Sequence, residues 1–500
     1  MSMHYRNIRL FSLAFALMLL LQLTACGSDA NNSNTNFPVV VFSDLHFNPF
    51  YDPSLFQQLV SKDASQWEDV FKSSQVTAPS AWGQDTSNPL LKDTSYPLLV
   101  LALASIKQNL GTSPLVIFTG DLLGHGIPQQ FYPRYYANLG ISPAPTIPDA
   151  TAIAAMKSFT QKTLAFVMGQ VRASVGNRPV MFAVGNSDSY SGYGPNQDSS
   201  LSPDNSFLLD NAELFYTTYL NGITDHQEFL NTFTSGGYYS AEPPGTNLMV
   251  IGLNTILFTT LFYPHPDANN SAAVAAELDW LNARLASASI AGKKVVLLMH
   301  APPGVDITST LNALGAAGRP VTTATMMWWP DYQTRFLEIL SNYPGTVSLT
   351  LAGHTHMDDY RILTASDTLE ILPAIASYSG NNPAYKVFSV YRNTFKPIDY
   401  RSLNYDLATN PSQFNNYYTF STAFSLQGLL DASFVQLTPQ LVTNTTKQAL
   451  YRSYYYSGHN SPVSSADTQI NPITNTNWPF YWCGIGKMGQ QEYVDCVNSY

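Results

Sequence analysis

Five short stretches of this chain carry side chains able to hold metal ions, and each stands at the end of an apolar run. Asp44-Leu45-His46 follows Val39-Val40-Val41-Phe42, Gly120-Asp121 follows Leu115-Val116-Ile117-Phe118, and Gly185-Asn186 follows Val180-Met181-Phe182-Ala183-Val184. His300 follows Val295-Val296-Leu297-Leu298-Met299, and Gly353-His354-Thr355-His356 follows Val347-Ser348-Leu349-Thr350-Leu351-Ala352. One His-x-His pair is a weak signal, because imidazoles also decorate ordinary surfaces. Five such coincidences are hard to explain by chance. Asp44, His46, Asp121, Asn186, His300, His354 and His356 exceed what one tetrahedral ion needs and suit two ions sharing a bridging carboxylate. Nitrogen and oxygen donors without thiolate favour zinc, iron or manganese over calcium. Two such cations clamp a phosphoryl group and lower the pKa of a water between them, so the set predicts phosphate ester hydrolysis.

Gathering these residues requires strands whose carboxyl ends lie side by side, where loops of α/β folds converge. Apolar runs predict strands at 38–43, 115–119, 179–184, 247–253, 294–299 and 346–352, with a short one at Tyr238-Tyr239-Ser240. Helical periodicity marks 54–62, 96–109, 152–175, 207–220, 272–287 and 331–340; in the fifth, Leu278, Leu281 and Leu285 form the apolar repeat. Segments 186–203 and 301–319 read as loops, and 122–149, rich in Pro and Tyr, as a long irregular insert of the kind that is usually functional. Two runs at 368–372 and 386–391 look like a closing β-hairpin. The expected fold is α/β, a layered β-sandwich core flanked by helices over 37–398. From 399 to 500 Asn, Ser, Thr and Tyr dominate, and a helical C-terminal appendage is expected.

The order Asp-x-His, Gly-Asp, Gly-Asn, His, Gly-His-x-His resembles the calcineurin-like metallophosphoesterase superfamily. Ser43-Asp44-Leu45-His46-Phe47-Asn48-Pro49-Phe50-Tyr51, Gly120-Asp121-Leu122-Leu123-Gly124-His125, His300-Ala301-Pro302-Pro303-Gly304 and Gly380-Asn381-Asn382-Pro383-Ala384-Tyr385 are similar to its acid sphingomyelinase-like branch. The resemblance implies that Asp44, His46 and His356 hold one metal, that Asn186, His300 and His354 hold the other, and that Asp121 bridges them. It also implies that His125 contacts the phosphate and protonates the leaving oxygen, work that suits a side chain titrating near neutrality. The chain departs from the pattern at Gly185-Asn186-Ser187-Asp188, where most members have a second catalytic histidine in place of Ser187. The proton then comes from His125, from Asp188 if its pKa is raised, or from water. Asn48 stands where the branch often has Asp.

The implied activity is an exported phosphodiesterase acting on a phosphodiester or nucleotide phosphate, with a small phosphate ester or lipid head group as ligand. Alternatives on the same site are a phosphomonoesterase, a polyphosphate hydrolase, or a surface binding protein whose catalysis was lost with the histidine. Arg6 and Arg9 precede an apolar segment ending at Leu23-Thr24-Ala25-Cys26, so residues 1–25 read as a signal peptide of lipoprotein type. Lipid on Cys26 and a polar tether over 26–36 would place the protein at a bacterial cell envelope, in the periplasm or on the outer membrane; plain secretion is the alternative. Of three cysteines, Cys483 and Cys496 remain for a disulfide. A formal charge of -10 with 12% charged residues argues against a nucleic-acid groove. Trp328-Trp329 and Tyr132, Tyr135 and Tyr136 are equally readable as core or as ligand-stacking groups.

Overall fold

The computed structural model describes residues 36–77, 79, 93–191, 206–260, 268–315, 320–459 and 473–500. The expected signal peptide and all but the last residue of the tether lie outside these. Among the described residues the strands, in chain order, are β1 (Asn36–Phe42), β2 (Val116–Phe118), β3 (Val180–Phe182), β4 (Tyr239–Ala241), β5 (Leu248–Gly252), β6 (Lys294–Leu298), β7 (Val347–Ala352), β8 (Asp359–Ile362), β9 (Thr368–Ile371), β10 (Ala384–Tyr391), β11 (Pro397–Asn404) and β12 (Asn415–Thr419). They form two six-stranded sheets, ordered β12-β11-β10-β1-β2-β3 and β4-β5-β6-β7-β9-β8. Within them β1, β2 and β3 run parallel, as do β5, β6, β7 and β9.

Strand periodicity sorts the apolar side chains into layers. Val250, Val296, Leu298, Leu349 and Leu351 join the large core shared with Val40, Phe118 and Phe182. Their neighbours Met249, Ile251, Val295 and Leu297 face the other way, onto Leu278, Leu281, Leu285 and Phe336 from helices Ala268–Ile290 and Pro330–Asn342. Burial on both faces explains why these parallel strands read as unbroken apolar runs. The sheets meet where a Cβ on Gly252 would run into the Phe182 carbonyl and the Tyr239 ring. There the Tyr239 hydroxyl donates to Phe182 O at 3.0 Å and accepts the Phe182 N–H at 2.7 Å.

The layered α/β architecture agrees with the sequence reading, and four local expectations need correction. Runs 368–372 and 386–391 are not a hairpin: β9 lies beside β7 in one sheet, whereas β10 pairs antiparallel with β1 in the other. The insert 122–149 contains the helix Ile127–Asn138, and the loop 301–319 contains the helix Ile307–Leu314, capped by Asp306, which accepts the Ser309 N–H. The texture change near residue 400 falls inside β11, and β11 and β12 complete the first sheet. Beyond them the C-terminal region is helical, with Leu430–Thr443, Thr445–Tyr455, Trp478–Gly486 and Gln490–Asn498. A disulfide between Cys483 and Cys496, Cα atoms 6.0 Å apart, ties the last two helices. Trp328 is core, its indole N–H donating to Ala301 O at 3.0 Å, and Tyr136 is buried too.

Candidate metal centre

All seven expected ligands lie just beyond the carboxyl ends of β1, β2, β3, β6 and β7. Five of them, Asp44 (φ 47°), His46 (φ 45°), Asp121 (φ 61°), His354 (φ 71°) and His356 (φ 66°), occupy the left-handed region that side-chain-bearing residues seldom enter. Tertiary contacts hold them there. Asp44 N–H donates to Gly120 O at 3.0 Å and His46 N–H to Asp121 O at 2.9 Å, while His354 N–H meets both Asp44 carboxylate oxygens at 3.1 Å. The loops also pass too close for a side chain at two glycines: a Cβ on Gly353 would overlap Ser43 Oγ and Asp44 Oδ2, and one on Gly185 would overlap Asp121.

The ligand atoms fall into two groups with Asp121 between them, and Asp44 Oδ1 also stands 3.8 Å from His300 Nε2 of the second group. His46 Nε2 lies 3.1 Å from His356 Nε2, with Asp44 Oδ1 3.8 Å from the first and 3.4 Å from the second. Asn186 Oδ1 receives His300 Nε2 at 3.0 Å and His354 Nδ1 at 2.9 Å. Between the groups, Asp121 Oδ2 is 3.3 Å from His46 Nε2 and 3.2 Å from His300 Nε2. Backbone carbonyls fix the two flanking rings: His46 Nδ1 meets Leu123 O at 3.1 Å and His300 Nδ1 meets Thr119 O at 2.8 Å, which turns both Nε2 atoms inward. His356 Nδ1 is buried without a hydrogen-bond partner.

The electrostatics are those of a site built for cations. Burial would raise the Asp44 carboxyl, but His356 and His300 hold it down at about 2. Burial would lower His300, yet Asp121 and Asp44 lift it to about 9. Burial, then the charge of His300, pushes His354 to about 3; burial, then His125, His356 and His300, holds His46 well below its ordinary value. The carboxylates thus favour a proton on His300, while His46 and His354 are held neutral and present lone pairs. Facing ring nitrogens at 3.1 Å and an N/O donor set fit two divalent cations.

Six further residues surround the centre. His125 lies flat between two rings, 3.9 Å from that of His46 and 4.0 Å from that of Tyr378. Its Nδ1 is 2.7 Å from Asp93 Oδ1, and its backbone N–H donates to Asp93 Oδ2 at 2.7 Å. Burial would lower the His125 pKa, and Asp93, together with Asp121 and Asp44, more than reverses this. Sequence reasoning missed Asp93 and Tyr378, since neither sits in a motif beside the residue it touches. Ser187 donates its N–H to Asp121 Oδ1 at 2.7 Å and its hydroxyl to Oδ2 at 3.3 Å, so it braces the bridging carboxylate. Asp188 is buried and accepts the backbone N–H groups of Asp121, Leu122, Leu123 and Gly185 at 2.9–3.2 Å. Burial, then the Asp121 charge, raises it to about 7, but its oxygens are spent on shaping the two loops rather than facing the ligand atoms. Asn48 Oδ1 accepts the Phe50 N–H at 2.9 Å, a turn role open to Asp or Asn alike.

Beside His354 lies a cavity of about 290 Å³. Asp306 and Thr355 line it together with Tyr455, Tyr456 and Tyr481 from the C-terminal helices.

The family profile for calcineurin-like phosphoesterases matches residues 37–358. The chain belongs to that family. This phosphoesterase is 24% identical over 483 residues to the cyclic GMP-AMP phosphodiesterase SMPDL3A of Mus musculus, covering 92% of this chain and 91% of that protein. It is 21% identical over 484 residues to sphingomyelin phosphodiesterase A of Dictyostelium discoideum, covering 92% and 68%. Among solved structures, a dimetal phosphatase from Danio rerio covers 73% of this chain and 95% of its own, at 12% identity and a TM-score of 0.38. The resemblance to the acid sphingomyelinase-like branch agrees with the two phosphodiesterases of Mus musculus and Dictyostelium discoideum, and the chain is a metal-dependent phosphoric ester hydrolase.

Proposed function

We propose that this phosphoesterase is an exported phosphodiesterase acting on a phosphodiester or nucleotide phosphate, with zinc as the resident metal. The observation that carries the reading is the convergence of four imidazoles, two carboxylates and one amide from five strand ends onto two groups joined by Asp121 Oδ2. Asp44, His46 and His356 would hold one cation and Asn186, His300 and His354 the other. Bound there, the cations supply charge neutralisation of the phosphoryl group and an activated water.

The chain's own residues handle the rest. Asp93 accepts the Nδ1 proton of His125, which leaves Nε2 directed away from Asp93 for proton delivery to the leaving oxygen. Stacking between His46 and Tyr378 keeps the ring from turning. Ser187 offers no proton near neutrality, so His125 is the acid in this reading. The cavity beside His354 gives a second ester substituent a place to sit, which favours a diester over a monoester. Export and lipid on Cys26 rest on the basic-apolar N-terminus and the Leu23-Thr24-Ala25-Cys26 box.

Metal analysis of the purified protein together with hydrolysis of bis-p-nitrophenyl phosphate, p-nitrophenyl phosphate, ATP and sphingomyelin tests the reading. About two zinc ions per chain and chelator-sensitive preference for a diester are expected. A preference for p-nitrophenyl phosphate would make it a monoesterase, and two metals without turnover would make it a binding protein.

A further inference from the structure

Three large apolar side chains that stand exposed, Leu139 (58%), Ile141 (44%) and Ile147 (84%), fall within nine residues of one another. From 138 to 148 the chain carries no charged residue, and prolines at 143, 145 and 148 remove backbone donors. The segment is held at its base. Gly140 N–H donates to Ala137 O at 3.0 Å and Ile141 N–H to Tyr136 O at 2.9 Å. The Tyr136 hydroxyl donates to Asp149 Oδ2 at 3.1 Å and accepts the Asp149 N–H at 3.0 Å. Tyr132 and Tyr135, half-buried, lie on the last turns of the helix Ile127–Asn138 that leads into it.

Its place in the fold follows from helix packing. The helix Ala150–Val175 ends beside the amino ends of β2 and β3, where Val116 N–H meets Pro179 O at 2.9 Å. Followed toward its start it packs Phe166 on Phe47 at 5.4 Å and Phe159 on Phe50 at 5.2 Å, both beyond the carboxyl end of β1, so its first turn, some nine residues farther on, lies past the strands' carboxyl ends. The 139–147 loop therefore stands at the end of the molecule that carries the metal centre, joined to His125 by one helix.

We propose that the 139–147 loop is a membrane-contact element, which inserts Leu139, Ile141 and Ile147 into a phospholipid interface and turns the metal-centre end of the protein toward the bilayer. A protein partner is normally engaged through interfacial hydrogen bonds and an aromatic or arginine anchor at the centre of the patch. This tip offers few donors and neither anchor. An uncharged apolar tip on a helix whose last turns carry half-buried Tyr132 and Tyr135 matches instead the layered polarity of a bilayer surface. Because the base is pinned and the tip rich in proline, insertion needs little ordering of the chain.

The test reads contact with lipid, not catalysis, so its outcome is separable from that of the proposed reaction. In the mature chain from residue 26 onward, with Cys26→Ser, a polarity-sensitive dye is attached to Ile147→Cys or, as a control, to Ile290→Cys. Ile290 is 89% exposed at the end of helix Ala268–Ile290, which leads into the amino end of β6. Adding vesicles of phosphatidylcholine and phosphatidylglycerol should shift the emission at 147 to the blue and leave 290 unchanged. The combined Leu139→Ser, Ile141→Ser and Ile147→Ser variant should reduce the fraction sedimenting with vesicles at least about tenfold, with hydrolysis of bis-p-nitrophenyl phosphate in solution unaltered. No shift at 147, an equal shift at 290, or unchanged sedimentation of the triple variant would each overturn the proposal.

Discussion

Asp93 grips His125 twice, its Oδ1 2.7 Å from the ring Nδ1 and its Oδ2 2.7 Å from the backbone N–H. The pair are 32 residues apart in the chain and fix both where the imidazole stands and which nitrogen carries the fixed proton. Asp93→Asn should lower kcat about 10- to 100-fold for a diester with a poor leaving group and much less for p-nitrophenyl esters. Asp93 raises the His125 pKa. An acid must be protonated to act, so removing that charge should also move the alkaline limb of the pH–rate profile to lower pH; an unmoved limb would mean that His125 is not the acid.

Asp121 Oδ2 lies 3.3 Å from His46 Nε2 and 3.2 Å from His300 Nε2, nearer to both nitrogens than Asp44 Oδ1 is at 3.8 Å from each. Asp121→Ala and His300→Ala should each abolish hydrolysis and bring metal content, read by mass spectrometry, well below two per chain. Retained turnover in either variant would sink the dinuclear reading.

At position 187 the expectation is small. Ser187→His should change the rate of bis-p-nitrophenyl phosphate hydrolysis by less than about threefold, because His125 already supplies the proton. A large gain from a rate near zero would identify the natural site as degenerate.

Gly353→Ala tests the crowding behind the site. The added methyl would overlap Ser43 Oγ and Asp44 Oδ2, both buried and hydrogen-bonded to each other at 2.5 Å. A loss of about 1–3 kcal/mol in stability is expected, with metal retention reduced as Asp44 is displaced. Thermal unfolding and metal analysis measure the two effects.

Away from the centre, Glu277 is fully buried, and burial lifts its pKa to about 8; Oε1 accepts the Asn254 N–H at 2.8 Å while Oε2 has no partner. The folded state therefore holds this proton more tightly than the unfolded chain does. Between about 4.5 and about 8 stability should fall as pH rises, by up to ~1.4 kcal/mol per unit from this group. Denaturant titrations of Glu277→Gln at pH 5 and pH 8 should show that part of the slope gone.

The sequence by itself determined the candidate donors and their order, because each sits beside the strand that carries it and strand periodicity is local. It likewise pointed to the layered α/β class and the Cys483–Cys496 pair, whereas His125 was singled out by the family resemblance. It misjudged 368–372 and 386–391, since whether two runs pair depends on partners such as β1, some 350 residues from β10, that proximity in the chain does not reveal. Helices Ile127–Asn138 and Ile307–Leu314 were hidden by Pro, Tyr and Gly in their surroundings. Only the tertiary structure decided that Asp93 and Tyr378 flank His125, that Asp188 organises loops, and that C-terminal tyrosines wall the cavity beside His354. A hydrogen bond or a ring contact needs a few ångströms of separation in space, and no spacing along the chain encodes that for residues brought together by different strands.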